Sequence, residues 1–257
     1  MAGIGKATGE GGGALVGIGT SAEPTIEGFD FTKLTPSEQL AKVKELQGLM
    51  GQTGDEAGKY NLPHGSSEKM YVNCSKSFDI NYYLATGKVG SPQSSWTNAG
   101  YGLSGILSDI KKMDSGMKPL TESVKGYKYA EGNALGRMLG MDNITNSNIQ
   151  QLINTLETDN VAKQDFATKL KDTSYTHKGY TSVSYIPQHS TYDSMPIRLD
   201  FVLQKGTKAI VTNNTPEHEI VGDRNVKYNF TGKYKVENVY STAKGGYVKQ
   251  LVIECYV

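Results

Sequence analysis

The order of helix-forming and strand-forming patterns along the chain is the feature that most limits its fold. Up to Asp172, apolar residues recur mainly at helical spacing; beyond it Thr, Tyr, Val, Ile and Ser dominate, as is typical of strands. Helices first and strands after, with few βαβ alternations, predict an α+β domain rather than a doubly wound sheet. The predicted strands are Glu122–Tyr129 before the change of pattern and, after it, Tyr180–Tyr185, Ile197–Leu203, Lys208–Val211, Glu217–Val221, Val226–Thr231, Tyr234–Tyr240 and Val248–Cys255.

Helix termini are marked by capping residues at several places. Ser77 is the predicted cap of a helix that ends near Gly87, and Asn146 or Ser147 is the predicted cap of the helix that runs from Ile149. Small polar residues favour the start of a helix because their side chains satisfy its first backbone amides.

Bulk charge and hydropathy argue against several classes of function. The 257 residues carry a formal net charge of +1, so no overall electrostatic attraction favours nucleic acid or a membrane surface. The chain has no apolar run of about eighteen residues, which predicts no membrane span. Its N-terminus also lacks the basic-then-apolar layout of a secretion signal.

The two cysteines give no sign of a metal site. Cys74 and Cys255 lie far apart, and neither has a second cysteine or a histidine at metal-binding spacing. The sequence therefore predicts no bound metal and is compatible with a reducing compartment, with a single disulfide as the open alternative.

The first part of the chain, residues 1–67, reads as an extension to a domain formed by residues 68–257. The tract from Met1 to Ser21 is too rich in glycine to bury much apolar surface, which predicts a flexible segment. A helix follows, with Thr35 and Glu38 as a capping box and Pro36 in its first turn. Its expected apolar stripe comprises Leu40, Val43, Leu46, Leu49 and Met50.

Two short β-rich stretches carry the polar residues of greatest chemical interest. Ser182 and Ser184 share one face of a predicted strand, and Glu217 and Glu219 share one face of another, with His218 opposite. Two strands that present hydroxyls and carboxylates to one cleft would form a polar site, whereas an exposed edge strand is the alternative for the glutamates. A serine hydrolase is disfavoured because the chain has no G-x-S-x-G elbow. The nearby histidines that would have to serve it are His177, His189 and His218.

The order of these motifs resembles that of mono-ADP-ribosyltransferases of the arginine–serine–glutamate branch. This branch includes the catalytic chains of clostridial binary toxins and related phage-encoded enzymes. The stretch from Leu170 to Ser184 resembles the segment through the family's Ser-Thr-Ser motif, with Val183 in the middle position. Glu217-x-Glu219 is similar to the family's second motif, and the resemblance extends from about Ser77 to the C-terminus.

The resemblance implies a fold and a reaction. Two antiparallel β-sheets would face each other, with flanking helices and with NAD, the substrate, between them. Glu219 would stabilise the oxocarbenium-like ribose as nicotinamide leaves, and Ser182 would hold Glu219 by a hydrogen bond. Glu217 would orient or deprotonate the acceptor, and a glutamate at this position implies an arginine side chain of a host protein.

The resemblance also implies a set of NAD-binding residues. Lys128 stands where the family has a phosphate-binding arginine, and three interpretations stay open: Lys128 binds NAD more weakly, Arg137 or Lys125 takes over, or catalysis has been lost. Ser182, Ser184, Tyr127 and Tyr180 complete the predicted set, with cross-strand packing as the alternative for the tyrosines.

The biological setting follows from analogy alone. The glycine-rich start and the absent secretion signal are similar to phage proteins that carry such domains in the virion. We therefore expect a toxin-like transferase in the phage virion or the host cytoplasm, with virion or capsid proteins as partners of the extension. The alternatives are an inactive structural protein of the virion with this fold, and an NAD glycohydrolase with water as acceptor.

Overall fold

A computed structural model describes residues 27–57, 76–92, 101–187, 192–213 and 217–257. The glycine-rich start, Cys74, His189 and the predicted domain boundary at 67/68 lie outside these ranges. The helices are a 3₁₀ turn at Phe31–Lys33, α1 (Pro36–Met50), α2 (Lys76–Thr86), α3 (Leu103–Gly116), α4 (Gly132–Leu139), α5 (Ile149–Thr158) and α6 (Asn160–Lys171). The strands are β1 (Lys118–Pro119), β2 (Val124–Ala130), β3 (Ser174–His177), β4 (Thr181–Ser184), β5 (Ile197–Leu203), β6 (Lys208–Val211), β7 (Glu219–Gly222), β8 (Val226–Ser241) and β9 (Gly246–Tyr256).

In the described residues the strands follow one hydrogen-bonded order, β1-β6-β7-β4-β2-β5-β9-β8-β3. The contact between β2 and β4 is the narrowest in this order, since it comprises the single residue pair Tyr127 and Ser184. This junction separates a half formed by β1, β6, β7 and β4 from a half formed by β2, β5, β9, β8 and β3. The α+β class is thereby confirmed. Strands β5 and β9 run parallel, whereas antiparallel pairing was expected throughout.

A glycine allows the two halves to approach at the junction. A Cβ atom on Gly126 of β2 would lie 2.5 Å from Cγ2 of Val183 on β4, far inside van der Waals contact. Val183 therefore packs on bare backbone, and the strand that carries Ser182 and Ser184 is brought against β2.

One hydrophobic core spans both halves of the sheet. Val183 and Ile220 from the first half join Leu199, Phe201 and Ile253 from the second. Helices α4, α5 and α6 contribute the buried side chains Leu135, Leu139, Ile153, Leu156, Phe166 and Leu170 to the same cluster. A second cluster packs α2 and α3 against the first half through Ile80, Ile106, Met113, Tyr180, Ile210 and Val221. The junction between β2 and β4 is thus held by packing from both sides.

Helix α1 begins as the sequence predicts but buries a different face. The Thr35 amide donates to Oε2 of Glu38 at 2.8 Å, and Gly51 ends the helix in the left-handed region with φ 66°. Val43, Leu46 and Met50 are buried as expected, whereas Leu40 and Leu49 are exposed. The buried face is completed instead by Gln39 and Gln47, since each amide finds backbone carbonyls to bind.

The described part of the predicted extension packs into the domain. Phe31 is fully buried in the main core, and Phe29 forms a β-bridge with Val124. Gln52 joins this segment to β6: its Nε2 donates to the carbonyls of Gly116 and Ala209 at 2.8 Å each, and its Oε1 accepts from the Val211 amide at 3.1 Å. Residues 27–57 are therefore packed against the rest of the domain by Phe31 and Gln52.

Several element boundaries differ from the sequence prediction. Strand β8 is continuous across the expected turn, with its register shifted between Phe230 and Tyr234 and Gly232 at φ 83°. Strand β3 was not predicted, and Ser77 lies inside α2 instead of capping it. The residue that precedes α5 is Asn148, one position beyond the predicted caps. The two strand differences arise where long-range pairing overrides a local signal.

We expect Gln52→Ala to lower the free energy of unfolding by about 2–3 kcal/mol, because it leaves one buried amide and two buried carbonyls without their partners. The control is Leu49→Ala in the same segment, which removes a side chain that is 61% exposed and should change the free energy by less than about 0.5 kcal/mol. Urea denaturation followed by circular dichroism measures both. Equal stability of Gln52→Ala and the parent chain would mean that residues 27–57 do not pack on the sheet in solution.

Candidate functional site

The central pair of the site is Ser182 on β4 and Glu219 at the start of β7. These strands pair antiparallel, with Ser184 opposite Glu219 and Ser182 opposite Val221, so all four side chains share one face. Ser182 Oγ donates a hydrogen bond to Oε1 of Glu219, whose side chain is buried. The hydroxyl thus fixes the orientation of a carboxylate that is largely withdrawn from water.

Ser184 lies beside Glu219 but has a local hydrogen bond. Its Oγ accepts from the Ile186 amide at 3.3 Å, two residues along the chain. This contact supports the turn by which the chain leaves β4. Ser184 therefore lies next to the Ser182–Glu219 pair, and its described hydrogen bond stabilises the turn after β4.

Glu217 does not lie in the strand, contrary to the prediction that it shares a strand face with Glu219. Strand β7 begins at Glu219, and Glu217 lies in the preceding turn with its side chain half-buried. His218 has φ 50°, a left-handed conformation that interrupts the alternation of an extended strand. Contacts to Tyr185 hold this turn: the Tyr185 amide donates to the His218 carbonyl at 2.8 Å, and Tyr185 Oη lies 3.1 Å from His218 Nδ1.

Lys128 of β2 reaches the same place from the other half of the sheet. Its Nζ donates to the main-chain oxygen of Ser182 at 3.1 Å. Removal from water lowers the pKa of the Lys128 ammonium, and the negative charge of Glu219 acts in the opposite direction. The structure therefore brings Lys128, Ser182 and Glu219 together across the junction between β2 and β4.

The two cations that were considered as substitutes for Lys128 differ in position. Lys125 donates to Oδ2 of Asp30 at 2.9 Å, and since it is three residues from Lys128 it points from the opposite face of β2. Arg137 of α4 is exposed and lines the same cleft as Lys128. Arg137 is thus the one of the two that faces the Lys128 side of the site.

A cleft of about 270 Å³ opens beside Lys128, between α4 and the second half of the sheet. Ser182 and Glu219 do not line it, so Lys128 is the residue that the cleft and the Ser182–Glu219 pair have in common. Its walls are formed by Lys128, Tyr129, Ala130, Glu131, Ala134, Arg137, Met138, Tyr175, His177, Met195, Leu199 and Tyr228. The lining combines two cations with aromatic rings, which suits a ligand that carries both phosphate and a flat ring.

His177 is a neutral member of this lining. Burial lowers the pKa of its imidazole to about 4, and the nearby charge of Lys128 contributes to the decrease. The ring stacks on Tyr228 with centroids 5.5 Å apart, and Nε2 lies 3.3 Å from the Tyr180 carbonyl. A neutral imidazole next to an ammonium avoids a second buried positive charge.

Tyr127 and Tyr180, both predicted to bind the substrate, make packing contacts in this structure. The Tyr127 ring lies on the face of β2 opposite Lys128, with the Arg198 guanidinium 5.6 Å from its centroid. Tyr180 is buried against α3, where its hydroxyl donates to Oδ1 of Asp114 at 2.6 Å. Burial raises the pKa of both phenols. The described contacts therefore favour the packing alternative for these two tyrosines.

Other chemistries find no support among the described residues. Ser182 Oγ donates to a carboxylate and not to an imidazole, which disfavours a serine hydrolase. Within the ranges described above, no group of three His, Cys, Asp or Glu side chains could hold a metal ion. In the same ranges no helix has the length and apolar character needed to cross a membrane. Cys255 is a buried free thiol.

Sequence reasoning missed two residues on the connection from β4 to β5, Tyr192 and Asp193. Burial raises the pKa of the Tyr192 phenol, and the charges of Glu217 and Glu219 raise it further. Asp193 is bound by residues 241–243, almost fifty positions away in sequence. No local pattern marks Asp193, because the side-chain contacts that define it are long-range.

Comparison with known proteins gives a consistent result. Residues 56–255 match the model of a family described as ADP-ribosyltransferase exoenzyme. No curated protein matches the sequence significantly.

Solved structures with a similar fold include two ADP-ribosylating toxins of bacteria and a protein of S. aureus solved with NAD. Plx2a, an ADP-ribosyltransferase toxin from Paenibacillus larvae, has a TM-score of 0.54 at 17% identity, with 86% of this chain and 95% of that chain covered. BECa, an ADP-ribosylating toxin of C. perfringens solved with NADH, has a TM-score of 0.59 at 15% identity, with 90% and 50% covered. C3stau2 from S. aureus, solved with NAD, has a TM-score of 0.57 at 17% identity, with 90% and 97% covered. At these identities the structures establish the fold.

We expect the free energy of unfolding to decrease as the pH is lowered from about 6.5 to about 4, and we expect His177 to account for part of this decrease. The unfolded chain binds a proton at the ordinary pKa of 6.5 and the folded chain only near 4, so acid favours the unfolded state in this window. The contribution is on the order of 2 kcal/mol, after allowance for the part of the ring that meets solvent.

The variant His177→Phe keeps the stacking on Tyr228 and removes the titration. Chemical denaturation at several pH values should therefore give a shallower pH dependence for this variant than for the parent chain. Identical slopes for the two proteins would show that His177 is not held neutral in the folded state.

Proposed function

The chain belongs to the ADP-ribosyltransferase exoenzyme family, and we propose that it transfers ADP-ribose from NAD to an arginine side chain of a host protein, with release of nicotinamide. Membership of the family supports NAD-dependent mono-ADP-ribosylation. The choice of arginine, the roles of single residues and the biological setting are our proposal.

The hydrogen bond from Ser182 to Glu219, with Lys128 bound to the Ser182 carbonyl, carries the proposal. It joins a carboxylate, the hydroxyl that orients it and a cation within one small region. A dinucleotide that is cleaved at its ribose needs these three groups: an anion at the reacting ribose, a fixed geometry and a cation for the pyrophosphate.

In the first step the bond between ribose C1′ and the nicotinamide nitrogen breaks, and its electron pair leaves with neutral nicotinamide. Positive charge then develops on the ribose ring. A carboxylate held in a fixed position with little water around it stabilises that charge most in the transition state. Glu219 meets this requirement, because it is buried and its Oε1 is held by Ser182.

In the second step a guanidino nitrogen of the acceptor bonds to C1′ and loses a proton. Glu217 is suited to take that proton, because the turn before β7 keeps it half-buried and near Glu219. A carboxylate also pairs well with the planar guanidinium before the reaction, which supports arginine over neutral acceptors.

The cleft beside Lys128 fits one end of the substrate. Its volume of about 270 Å³ is too small for a whole dinucleotide, so the rest of NAD would lie outside it. Lys128 and Arg137 offer cations to the phosphates, and Tyr175 and Tyr228 offer rings at the cleft wall. The presence of two cations in one lining supports retention of NAD binding despite the lysine at position 128.

Two alternatives and the biological setting stay predictions. An NAD glycohydrolase would use water in place of the acceptor, and a structural protein of a virion would keep the fold without turnover. The glycine-rich start motivates the proposal that the chain resides in a phage virion, with capsid partners, and acts in the host cytoplasm. The carboxylate of Glu217 favours the transferase over both alternatives, since neither needs a partner for a guanidinium.

We expect Glu219→Gln to reduce ADP-ribose transfer and nicotinamide release by at least about 100-fold, because the neutral amide no longer stabilises the ribose cation. Glu217→Gln should reduce transfer to a similar extent but leave NAD hydrolysis within a few-fold of the parent rate. Labelled NAD with agmatine as acceptor gives both rates. The matched control is Glu254→Gln, which alters a carboxylate on β9 that pairs with Lys233 at the surface.

Each alternative function has its own outcome in this assay. Free ADP-ribose without labelled agmatine or labelled lysate protein would identify a glycohydrolase. Absence of nicotinamide release together with absence of NAD binding would exclude catalysis altogether.

We expect Lys128→Arg to tighten NAD binding by about tenfold, because a guanidinium can form two parallel hydrogen bonds with a phosphate where an ammonium acts as a point charge. The control is Lys125→Arg on the opposite face of β2, paired with Asp30, which should leave affinity unchanged. Isothermal titration calorimetry measures both dissociation constants. Weaker binding by Lys128→Arg would show that position 128 does not contact the phosphates.

A further inference from the structure

Glu219 is held through its main chain as well as through its carboxylate. Strand β7 lies between β4 and β6, and Ser182 of β4 holds the carboxylate by the hydrogen bond described above. On the other side Thr212, the residue after β6, donates to the Glu219 carbonyl twice, from its Oγ1 at 2.9 Å and from its amide at 3.2 Å. The two ends of Glu219 are therefore fixed by residues from the two neighbouring strands.

The attachment to Thr212 matters because Glu219 is the first residue of β7. The preceding residue, His218, has φ 50°, so the chain departs from the extended conformation immediately before the glutamate. The last pair in the register of β6 and β7 is Val211 with Ile220, and the hydroxyl of Thr212 adds a side-chain bond one residue beyond it. Thr212 is only 3% exposed, so this bond forms away from water, where a hydrogen bond is stronger.

Asn213, the residue that follows, is attached at three points to residues 27–57, which we call the N-terminal segment. Its amide donates to the Gly54 carbonyl at 3.1 Å, and its Nδ2 donates to the Thr53 carbonyl at 3.1 Å. Its Oδ1 accepts from Gln47 Nε2 at 3.0 Å. We call these residues the Asn213 clamp: Gln47, Thr53, Gly54 and Asn213.

The clamp depends on a buried glutamine and on a glycine. Gln47 of α1 is 5% exposed, and its Nε2 also donates to the Val211 carbonyl at 2.9 Å, on the other side of Thr212. A Cβ atom on Gly54 would overlap Nδ2 of Asn213 and Nε2 of Gln47. Glycine, which also adopts φ 90° there, lets the two amides meet at this turn. The residues before and after Thr212 are therefore both fixed to the N-terminal segment.

We propose that Thr212 is a positioning residue for Glu219, and that the Asn213 clamp holds Thr212 in the place from which it acts. The N-terminal segment thereby contributes to the release of nicotinamide from outside the site. The inference rests on the proposed function, since it requires the Glu219 carboxylate to stabilise the ribose cation. It concerns the first step of the reaction and is independent of the acceptor.

A displaced carboxylate loses more stabilising energy in the transition state than in the complex with NAD. Positive charge develops on the ribose only as the bond to nicotinamide breaks, so the position of Glu219 affects the rate of this step more than the binding of NAD. A displacement of about 1 Å is enough to lower a rate by up to about 100-fold. Loss of a positioning bond should therefore lower kcat with little change in KM.

The first variant, Thr212→Val, removes the hydroxyl and keeps the branched shape of the side chain. We expect kcat for nicotinamide release, measured with labelled NAD and no acceptor, to fall about tenfold, with the KM for NAD within about twofold. Thr212→Ser restores a hydroxyl and should keep kcat within about threefold of the parent value. Lower activity in Thr212→Ser than in Thr212→Val would contradict the proposal, because shape and not the hydrogen bond would then be required.

Combination with Glu219→Gln shows whether Thr212 acts through Glu219. The low rate of nicotinamide release by Glu219→Gln should change by less than about twofold when Thr212→Val is added, because the displaced group no longer carries charge. A further tenfold loss in the double variant would mean that Thr212 acts by another route.

The clamp offers a matched pair of glycine variants. Gly54→Ala places a Cβ atom against Asn213 and Gln47, whereas Gly51→Ala in the same segment meets open space. Both glycines have positive φ, 90° and 66°, so both variants strain the backbone. We expect kcat for nicotinamide release to fall about fivefold in Gly54→Ala and to stay within about twofold in Gly51→Ala.

A second clamp variant covers the case in which Gly54→Ala does not fold. Asn213→Ala removes the side-chain bonds to Gln47 and Thr53 from an exposed position and should lower kcat to a similar extent as Gly54→Ala. Urea denaturation followed by circular dichroism shows which variants are folded under the assay conditions.

The outcomes distinguish failure of the inference from failure of the proposed function. An unchanged kcat in Thr212→Val, or a raised KM for NAD without a change in kcat, overturns the inference while the proposed function stands. A kcat in folded Asn213→Ala equal to that of the parent chain removes the role of the clamp. Nicotinamide release that is absent from the parent chain, or that Glu219→Gln leaves unchanged, overturns the proposed function and the inference with it.

Discussion

The close approach of β2 and β4 is the constraint on which the rest of the structure depends. Only one residue pair, Tyr127 and Ser184, joins these strands, and they come together because Gly126 has no side chain where Val183 packs. This junction is also where Lys128 from one half of the sheet reaches Ser182 from the other. The site therefore lies at the weakest hydrogen-bonded point of the sheet, where hydrophobic packing rather than strand pairing fixes the geometry.

Electrostatics at the junction follows from burial. Lys128 is removed from water and is balanced by Glu219, while His177 stays neutral beside it. An isolated buried ammonium would be costly, and the carboxylate of Glu219 and the carbonyl of Ser182 offset part of that cost. An anionic substrate next to Lys128 would further stabilise the charged ammonium. The site is thus suited to a negatively charged ligand.

Outside the hydrophobic core, long-range polar contacts fix the relative positions of segments that are distant in sequence. Gln52 ties residues 27–57 to β6, and Asp193 ties the connection after β4 to the turn between β8 and β9. In both cases one buried side chain satisfies several backbone groups at once, which makes the attachment rigid. Both attachments join segments that lie far apart in the sequence, so side chains outside the hydrophobic core fix the relative positions of these segments.

The sequence by itself determined the α+β class, most helices and strands, and the order of the motifs that carry Ser182, Glu217 and Glu219. Those features depend on local periodicity and spacing, which a single chain displays directly. Tertiary structure alone decided that Glu217 lies in a turn, that Tyr127 lies on the face of β2 opposite Lys128, and that the Tyr180 hydroxyl binds Asp114 of α3. The physical reason is that each of these placements depends on a partner distant in sequence, and no local pattern encodes such a partner.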